Sequence, residues 1–282
     1  MKTFTNDGFT FEVSDRGPED GPVVILLHGF PQTAECWAGV APRLADAGLR
    51  VLAPNQRGYS PQARPTGRRA YLLNLLMGDV LALADSAGAE RFHLVGHDWG
   101  AVVAWSAAAE HPERVASLTT LSVPHPRAFA KSMLRSPQAL RSWYMLAFQA
   151  PGIERVAGMR DGALLRRFLV GTGMSEPGLS ATLERLADPE AFGAALNWYR
   201  AAPLDRRPMP GPVSVPTTHV WSSGDVALTR AGAELTADYV TGPYRLEILD
   251  GVSHWIPEEE PERVAQLILE RAGVGLGGEP DR

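Results

Sequence analysis

Short apolar runs alternate with longer periodic segments along the first part of the chain. Phe9, Phe11 and Val13 share one face of a strand, and a hairpin with the residues before them is expected. Val23–Leu27 is apolar throughout, which is typical of a strand buried on both faces of a parallel sheet. Further strands are predicted at 49–53, 91–96 and 115–123.

Helical spacing of apolar residues separates these strands. Helices are predicted at 35–47, 72–88 and 99–110, the last rich in small residues. Strict alternation of strands and helices is the pattern of an α/β protein with a doubly wound, mostly parallel sheet.

The alternation stops after the sixth strand. From 124 to 212 the pattern is helical with no convincing strand, and Asp188-Pro189 has the residue types of a helix start. Strands return at 217–221 and 244–249, with helices near 231–239 and at 261–272. We therefore predict a core domain formed by 1–123 and 213–282, with a helical cap, 124–212, inserted in it.

Composition narrows the class of protein. Of 282 residues, 45% are apolar and 21% are charged, and the net charge is −5, which gives no basic footprint for nucleic acid. The single cysteine, Cys36, excludes an internal disulfide and a Cys-rich zinc site. No apolar run approaches the length of a membrane span. We expect a reduced, cytoplasmic protein without nucleic-acid or membrane partners.

A candidate reactive turn lies at Gly96-His97-Asp98-Trp99-Gly100, between a predicted strand and a predicted helix. A nucleophile elbow needs small residues two before and two after the nucleophile, because the turn is tight. Here the central residue is Asp98, where such motifs often have serine. By itself the motif is equally compatible with a glycine turn in which Asp98 caps the following helix.

Two further features favour the elbow. The loop His28-Gly29-Phe30-Pro31 follows a buried strand, so the backbone N–H groups of Phe30 and Trp99 are candidates for an oxyanion hole. Asp225 and His254 each follow a later predicted strand, in the order acid and then histidine. Three residues in this order predict the triad Asp98, Asp225 and His254.

With these motifs the chain resembles the alpha/beta-hydrolase family and, within it, the epoxide hydrolases, from about residue 22 to residue 272. Two segments of the predicted cap extend the resemblance, Ser142-Trp143-Tyr144 and Asn197-Trp198-Tyr199-Arg200. The resemblance implies that Tyr144 and Tyr199 reach over the nucleophile. Without the elbow, the residues alone favour two core tyrosines with satisfied hydroxyls; with the elbow, and with both residues in the cap, the functional interpretation is favoured.

The function implied is hydrolysis of a small or medium apolar epoxide to a vicinal diol, with epoxide and water as partners. Asp98 would form a covalent ester, Tyr144 and Tyr199 would activate the epoxide oxygen, and His254 with Asp225 would activate water. The expected pocket residues, besides Phe30 and Trp99, are Trp37, Met145, Phe148 and Trp255. No metal or organic cofactor is implied, since His93 and His97 lie about 13 Å apart on a strand. A homodimer is compatible with the sequence.

Three alternatives remain open. A haloalkane or haloacid dehalogenase would share the aspartate and the ester, although Phe30 and Trp99 replace the Asn and Arg usual there. An esterase is disfavoured because Ser122 and Ser253 lie outside the elbow. The third is a non-catalytic binding protein on the same fold.

Overall fold

The computed structural model describes residues 1–274, apart from the side chains of 156–161. Eight strands form one sheet: β1 (Thr3–Asn6), β2 (Phe9–Arg16), β3 (Val23–Leu27), β4 (Arg50–Pro54), β5 (Phe92–His97), β6 (Val115–Leu121), β7 (Thr217–Ser222) and β8 (Tyr244–Leu249). Their order across the sheet is β1-β2-β4-β3-β5-β6-β7-β8.

The sheet is mostly parallel. The β1–β2 and β2–β4 pairs are antiparallel, and every pair from β4 to β8 is parallel. The predicted doubly wound sheet is confirmed, including the hairpin at its start. Since the parallel strands run in one direction, the residues that follow β3, β5, β6, β7 and β8 gather at a single edge.

Helices cover both faces of this sheet. The first three are α1 (Ala41–Asp46), α2 (Leu73–Ser86) and α3 (Trp99–Glu110). The helix predicted at 35–47 is wrong in its first half: a short 3₁₀ helix, Ala34–Trp37, precedes α1. Pro42 lies in the first turn of α1, where its missing N–H is tolerated, but its ring would clash inside a helix that began at 35.

Between β6 and β7 the described chain forms helices and no strand, apart from an isolated bridge between Val213 and Val240. The α-helices are α4 (Pro126–Arg135), α5 (Gln138–Arg141), α6 (Trp143–Ala147), α7 (Ile153–Gly171), α8 (Glu176–Leu186) and α9 (Pro189–Ala201). The Asp188 carboxylate accepts the Glu190 N–H at 2.9 Å and so caps α9. The division into a core domain and a cap domain stays a prediction. The last eight residues of the predicted core domain, 275–282, lie outside the described range.

The remaining helices are α10 (Arg230–Leu235), α11 (Ile256–Glu259) and α12 (Pro261–Ala272). Two apolar clusters hold the layers together. One contains Ile25 and Leu27 with side chains of α2 and α3, and the other contains Val24 and Leu26 with side chains of α1 and α12. This is the alternation expected of a strand buried on both faces. None of the helices in the described part of the chain is long and apolar enough to span a bilayer.

Candidate active site

The turn after β5 holds Asp98 in a conformation that L-residues rarely adopt. Its backbone angles are φ 50° and ψ −119°, and α3 begins at the next residue. The turn is also crowded, because a Cβ added to Gly100 would lie 2.3 Å from the Leu27 carbonyl oxygen. The small residue at position 100 is therefore a steric requirement, and the side chain of Asp98 projects from a sharp, strained bend.

The loop after β3 lies directly against this carboxylate. The Phe30 backbone N–H donates to Asp98 Oδ1 at 2.8 Å, and the Trp99 backbone N–H also stabilises the ionised carboxylate. A Cβ on Gly29 would lie 2.3 Å from the Asp98 Cβ, so only glycine permits this approach. Both N–H groups singled out in the sequence thus face the carboxylate.

Asp98 is buried, yet its environment favours the charged form. Burial raises the pKa of the carboxyl group, but the hydrogen bond and the charge of His254 outweigh burial, with help from the Trp99 N–H. The net result is a pKa below the usual value. Asp98 is therefore ionised at neutral pH.

Asp225 and His254 complete the arrangement. His254 Nδ1 lies 2.8 Å from Asp225 Oδ2, and His254 Nε2 lies 3.6 Å from Asp98 Oδ2. Asp225 Oδ1 accepts the N–H groups of Ala227 and Leu228 at 2.7 and 2.9 Å. Burial lowers the pKa of the His254 imidazole, but Asp225 and Asp98 together raise it to about 10.

Tyr144 on α6 and Tyr199 on α9 lie across the cavity from the elbow. Their ring centroids are 6.1 Å apart, and the Trp99 ring stands perpendicular to Tyr199 at 5.0 Å. Burial, and then the charge of Asp98, raises the pKa of both phenols. Each phenol consequently keeps its proton as a donor at neutral pH.

Two cavities meet at these groups, with volumes of about 330 and 620 Å³. Asp98, Tyr144 and Tyr199 line both of them. Of the predicted pocket residues, Met145 and Trp99 line the smaller cavity, whereas Trp255 and Phe30 line the larger one beside His254. The nucleophile candidate and both phenols therefore lie at the junction of the two spaces.

Two predicted pocket residues lie elsewhere. Trp37 is fully buried in the cluster of Val24 and Leu26, on the other face of the sheet, so its assignment to the pocket is wrong. Its side chain packs with residues of α1 and α12 in that cluster. Phe148 packs against Tyr199 and Phe30 at 5.0 and 5.4 Å but is not among the residues that line either cavity. It supports the phenols from behind.

The sequence pattern does not reveal the side chains that join the two tyrosine-bearing helices. Gln149 donates to the Tyr199 carbonyl oxygen at 2.8 Å, and Arg200 donates to the Phe148 carbonyl oxygen at 3.0 Å. Arg200 also pairs with Glu154 at 2.8 Å. The position of Arg200, next to Tyr199 in a distinctive segment, was the one available signal, since its partners are far away in sequence.

A second omission concerns the loop that carries Phe30. The Gln56 backbone N–H donates to His28 Nε2 at 3.1 Å, and the Gln56 side chain donates to the His28 carbonyl oxygen at 2.6 Å. Burial lowers the pKa of His28 to about 3, so the ring is neutral, and its Nδ1–H is left to donate to the Gly29 carbonyl oxygen at 3.1 Å. These bonds fix the backbone on which the Phe30 N–H depends.

Comparison with known proteins identifies the family. A family model described as the alpha/beta hydrolase fold matches residues 22–261. The chain belongs to the alpha/beta-hydrolase superfamily. Within it, the chain is 36% identical to Epoxide hydrolase A of Mycobacterium tuberculosis over 308 aligned positions, which cover 94% of each protein. It is 33% identical to Epoxide hydrolase 4 of Homo sapiens, over 93% of this chain and 75% of that protein.

Solved structures agree with the sequence relatives. The crystal structure of Epoxide hydrolase A from Mycobacterium thermoresistibile superposes with a TM-score of 0.79 at 28% identity, covering 95% of this chain and 96% of that one. A structure described among novel epoxide hydrolases from metagenomes of hot environments reaches a TM-score of 0.87 at 28% identity, covering 96% and 97%. The protein is a hydrolase of the epoxide hydrolase family.

Proposed function

We propose that this member of the epoxide hydrolase family converts small or medium apolar epoxides to vicinal diols through an ester on Asp98. One observation carries the proposal: an ionised carboxylate faces two protonated phenols across a shared cavity. A carboxylate can attack a strained ring carbon, and a phenol can donate to the oxygen that leaves it.

In the first step a bond forms between an Asp98 oxygen and an epoxide carbon while the ring carbon–oxygen bond breaks. The departing oxygen takes a proton from Tyr144 or Tyr199 and becomes the first hydroxyl group of the product. The apolar walls favour this step, because a carboxylate poorly solvated by water is a better nucleophile and a hydrogen bond is stronger there.

Ester formation changes the pKa of His254, the proposed base. While Asp98 is charged, it helps to raise the pKa of His254 to about 10, so the imidazole of the resting enzyme is largely protonated. An esterified Asp98 carries no charge, which removes one cause of that increase. The pKa of His254 then falls, its proton passes to the phenolate left by the first step, and the neutral ring can act as a base.

In the second step His254 takes a proton from water, and the resulting hydroxide attacks the carbonyl carbon of the ester. Negative charge develops on an Asp98 oxygen next to the N–H groups of Phe30 and Trp99. The tetrahedral intermediate expels the product oxygen, which takes the proton from His254. The proton that remains on the new carboxyl group returns to His254, so the Asp98 carboxylate is regenerated with one oxygen from water and His254 regains its resting charge.

A single turnover of styrene oxide in oxygen-18 water tests this route, with enzyme in excess over substrate. We expect the first diol to be unlabelled, because both of its oxygens come from the epoxide and Asp98. The label should appear in the peptide that contains Asp98, as measured by mass spectrometry.

Labelled diol in the first turnover would mean direct attack by water and would overturn the ester mechanism. An Asp98→Ala variant that still forms diol would do the same. Release of halide from haloalkanes or haloacids, without hydrolysis of any epoxide, would support the dehalogenase alternative.

A further inference from the structure

The backbone of the loop that carries His254 is held by buried side chains from three strand ends. Ser222, at the end of β7, donates to the Ser253 carbonyl oxygen at 2.7 Å. The His254 carbonyl oxygen lies 3.1 Å from Ser122 Oγ and 2.9 Å from His97 Nε2. His97, Ser122 and Ser222 are all fully buried.

Ser122 is the most unusual of these residues. The strand predicted at 115–123 ends at Leu121, because Ser122 has a φ of 67°. Only two other non-glycine residues in the described chain have a positive φ. The Val123 N–H donates to the Leu121 carbonyl oxygen at 2.9 Å, which closes a three-residue γ-turn around Ser122. A γ-turn with a positive central φ is rare and strained.

The strained turn directs the hydroxyl. The Ser122 N–H is fixed to the Val220 carbonyl oxygen of β7 at 2.9 Å, so the side chain points across the sheet edge to His254. Ser122 lines neither cavity, although its neighbour Val123 lines the smaller one. A direct contact with substrate, as an esterase nucleophile would need, is therefore absent within the described residues.

We propose that Ser122 is a positioning residue for the hydrolysis of the ester. Its hydroxyl holds the His254 backbone so that Nδ1 stays on Asp225 while Nε2 faces Asp98 at 3.6 Å. The inference rests on the proposed function, in which His254 is required for hydrolysis but not for attack on the epoxide. Loss of the hydroxyl should slow only the second step.

The experiment is a rapid-quench single turnover with styrene oxide that measures ester formation and ester hydrolysis separately. Ser122→Ala removes the hydroxyl and keeps the strained turn, whereas Ser122→Gly removes the hydroxyl and relieves the strain. We expect both variants to hydrolyse the ester about 10- to 100-fold more slowly, with unchanged ester formation, because small displacements of a catalytic group have effects of this size. His254→Ala should not hydrolyse the ester at all and therefore gives the lower limit of the hydrolysis rate.

The matched control is Ser106→Ala. Ser106 is equally buried, but its hydroxyl donates to the Val102 carbonyl oxygen of its own helix at 3.0 Å. We expect both rates to stay at the wild-type level in this variant. Thermal unfolding of all variants reports stability, and Ser122→Gly should melt no lower than Ser122→Ala.

The outcomes separate the two proposals. Ester hydrolysis at the wild-type rate in both Ser122 variants would overturn the positioning role. Ester hydrolysis at the wild-type rate in Ser122→Gly alone would also overturn it, because the slow hydrolysis by Ser122→Ala would then be caused by backbone strain and not by loss of the hydroxyl. Slow hydrolysis in Ser106→Ala would also overturn it. A wild-type enzyme that forms no ester would overturn the proposed function, and this inference with it.

Discussion

Two buried carboxylates at the same edge of the sheet differ in how many of their oxygens are satisfied. Asp225 is bonded at both oxygens, to two backbone N–H groups and to His254 Nδ1 at 2.8 Å. Asp98 accepts the Phe30 N–H at Oδ1, its Oδ2 lies 3.6 Å from His254 Nε2, and the residue lines both cavities. A saturated carboxylate orients its partner, whereas one with an open side keeps lone pairs for a substrate.

The same comparison explains why the two acids occupy different backbone settings. Asp98 projects from a strained turn with a positive φ, so its carboxylate extends towards the phenols. Asp225 bonds to the backbone two and three residues after it, an arrangement that encloses its own charge. The local backbone therefore fits the reactive role proposed for Asp98 and the orienting role proposed for Asp225.

Substitution of each acid in turn should have the largest effect and gives the strongest test of the difference between Asp98 and Asp225. Asp98→Ala should abolish ester and diol formation, a loss of at least about 10⁴-fold in kcat/KM, because no nucleophile remains. Asp225→Asn should form ester at nearly the wild-type rate and hydrolyse it about 10³- to 10⁴-fold more slowly, since the base loses its orienting partner. Rapid-quench kinetics measures both steps, and equal losses in both steps of Asp225→Asn would contradict the division.

Removal of a phenol hydroxyl tests the proposed role of the tyrosines that share the cavities with Asp98. Tyr144→Phe and Tyr199→Phe should each slow ester formation about 10²-fold and leave ester hydrolysis unchanged, because the phenols donate only to the epoxide oxygen. Tyr239→Phe is a control, since Tyr239 stacks on His125 and lines neither cavity. A loss confined to hydrolysis would contradict the role of the phenols.

The smallest expected effect is on the free energy of unfolding. It follows from the position of His254 between Asp98 and Asp225. The pKa of His254 is raised to about 10 in the folded state, against about 6.5 when unfolded. The folded state binds the extra proton between these values, so the stabilisation is complete below pH 6.5 and is lost as the pH rises towards 10. Urea unfolding should show a decrease on the order of 2–4 kcal/mol between pH 6.5 and 9.5.

A His254→Gln variant provides the reference for this measurement. It should lack that decrease, because no imidazole remains to lose a proton between Asp98 and Asp225. Parallel stability curves for the variant and the wild type would show that the ion pairs do not raise the pKa of His254.

Motifs that are contiguous in the chain could be interpreted without coordinates. The elbow at Asp98 and the loop at Phe30 depend on backbone turns between neighbouring residues, so their residue types are visible in the sequence. The strand after Pro22 and the capped start of α9 were predictable for the same reason. Trp37 was placed wrongly because its aromatic character does not reveal which face of the sheet it covers.

The sequence by itself determined the alternating layers, the order of acid and histidine along the chain, and the identity of the groups that we propose to react. These follow from local periodicity and from turns a few residues long. Only the tertiary structure decided that Asp98 keeps an open oxygen while Asp225 does not, and that Ser122, 132 residues before His254, holds that histidine. Such contacts depend on distances between strand ends, which are set by how the whole sheet packs and not by any single segment.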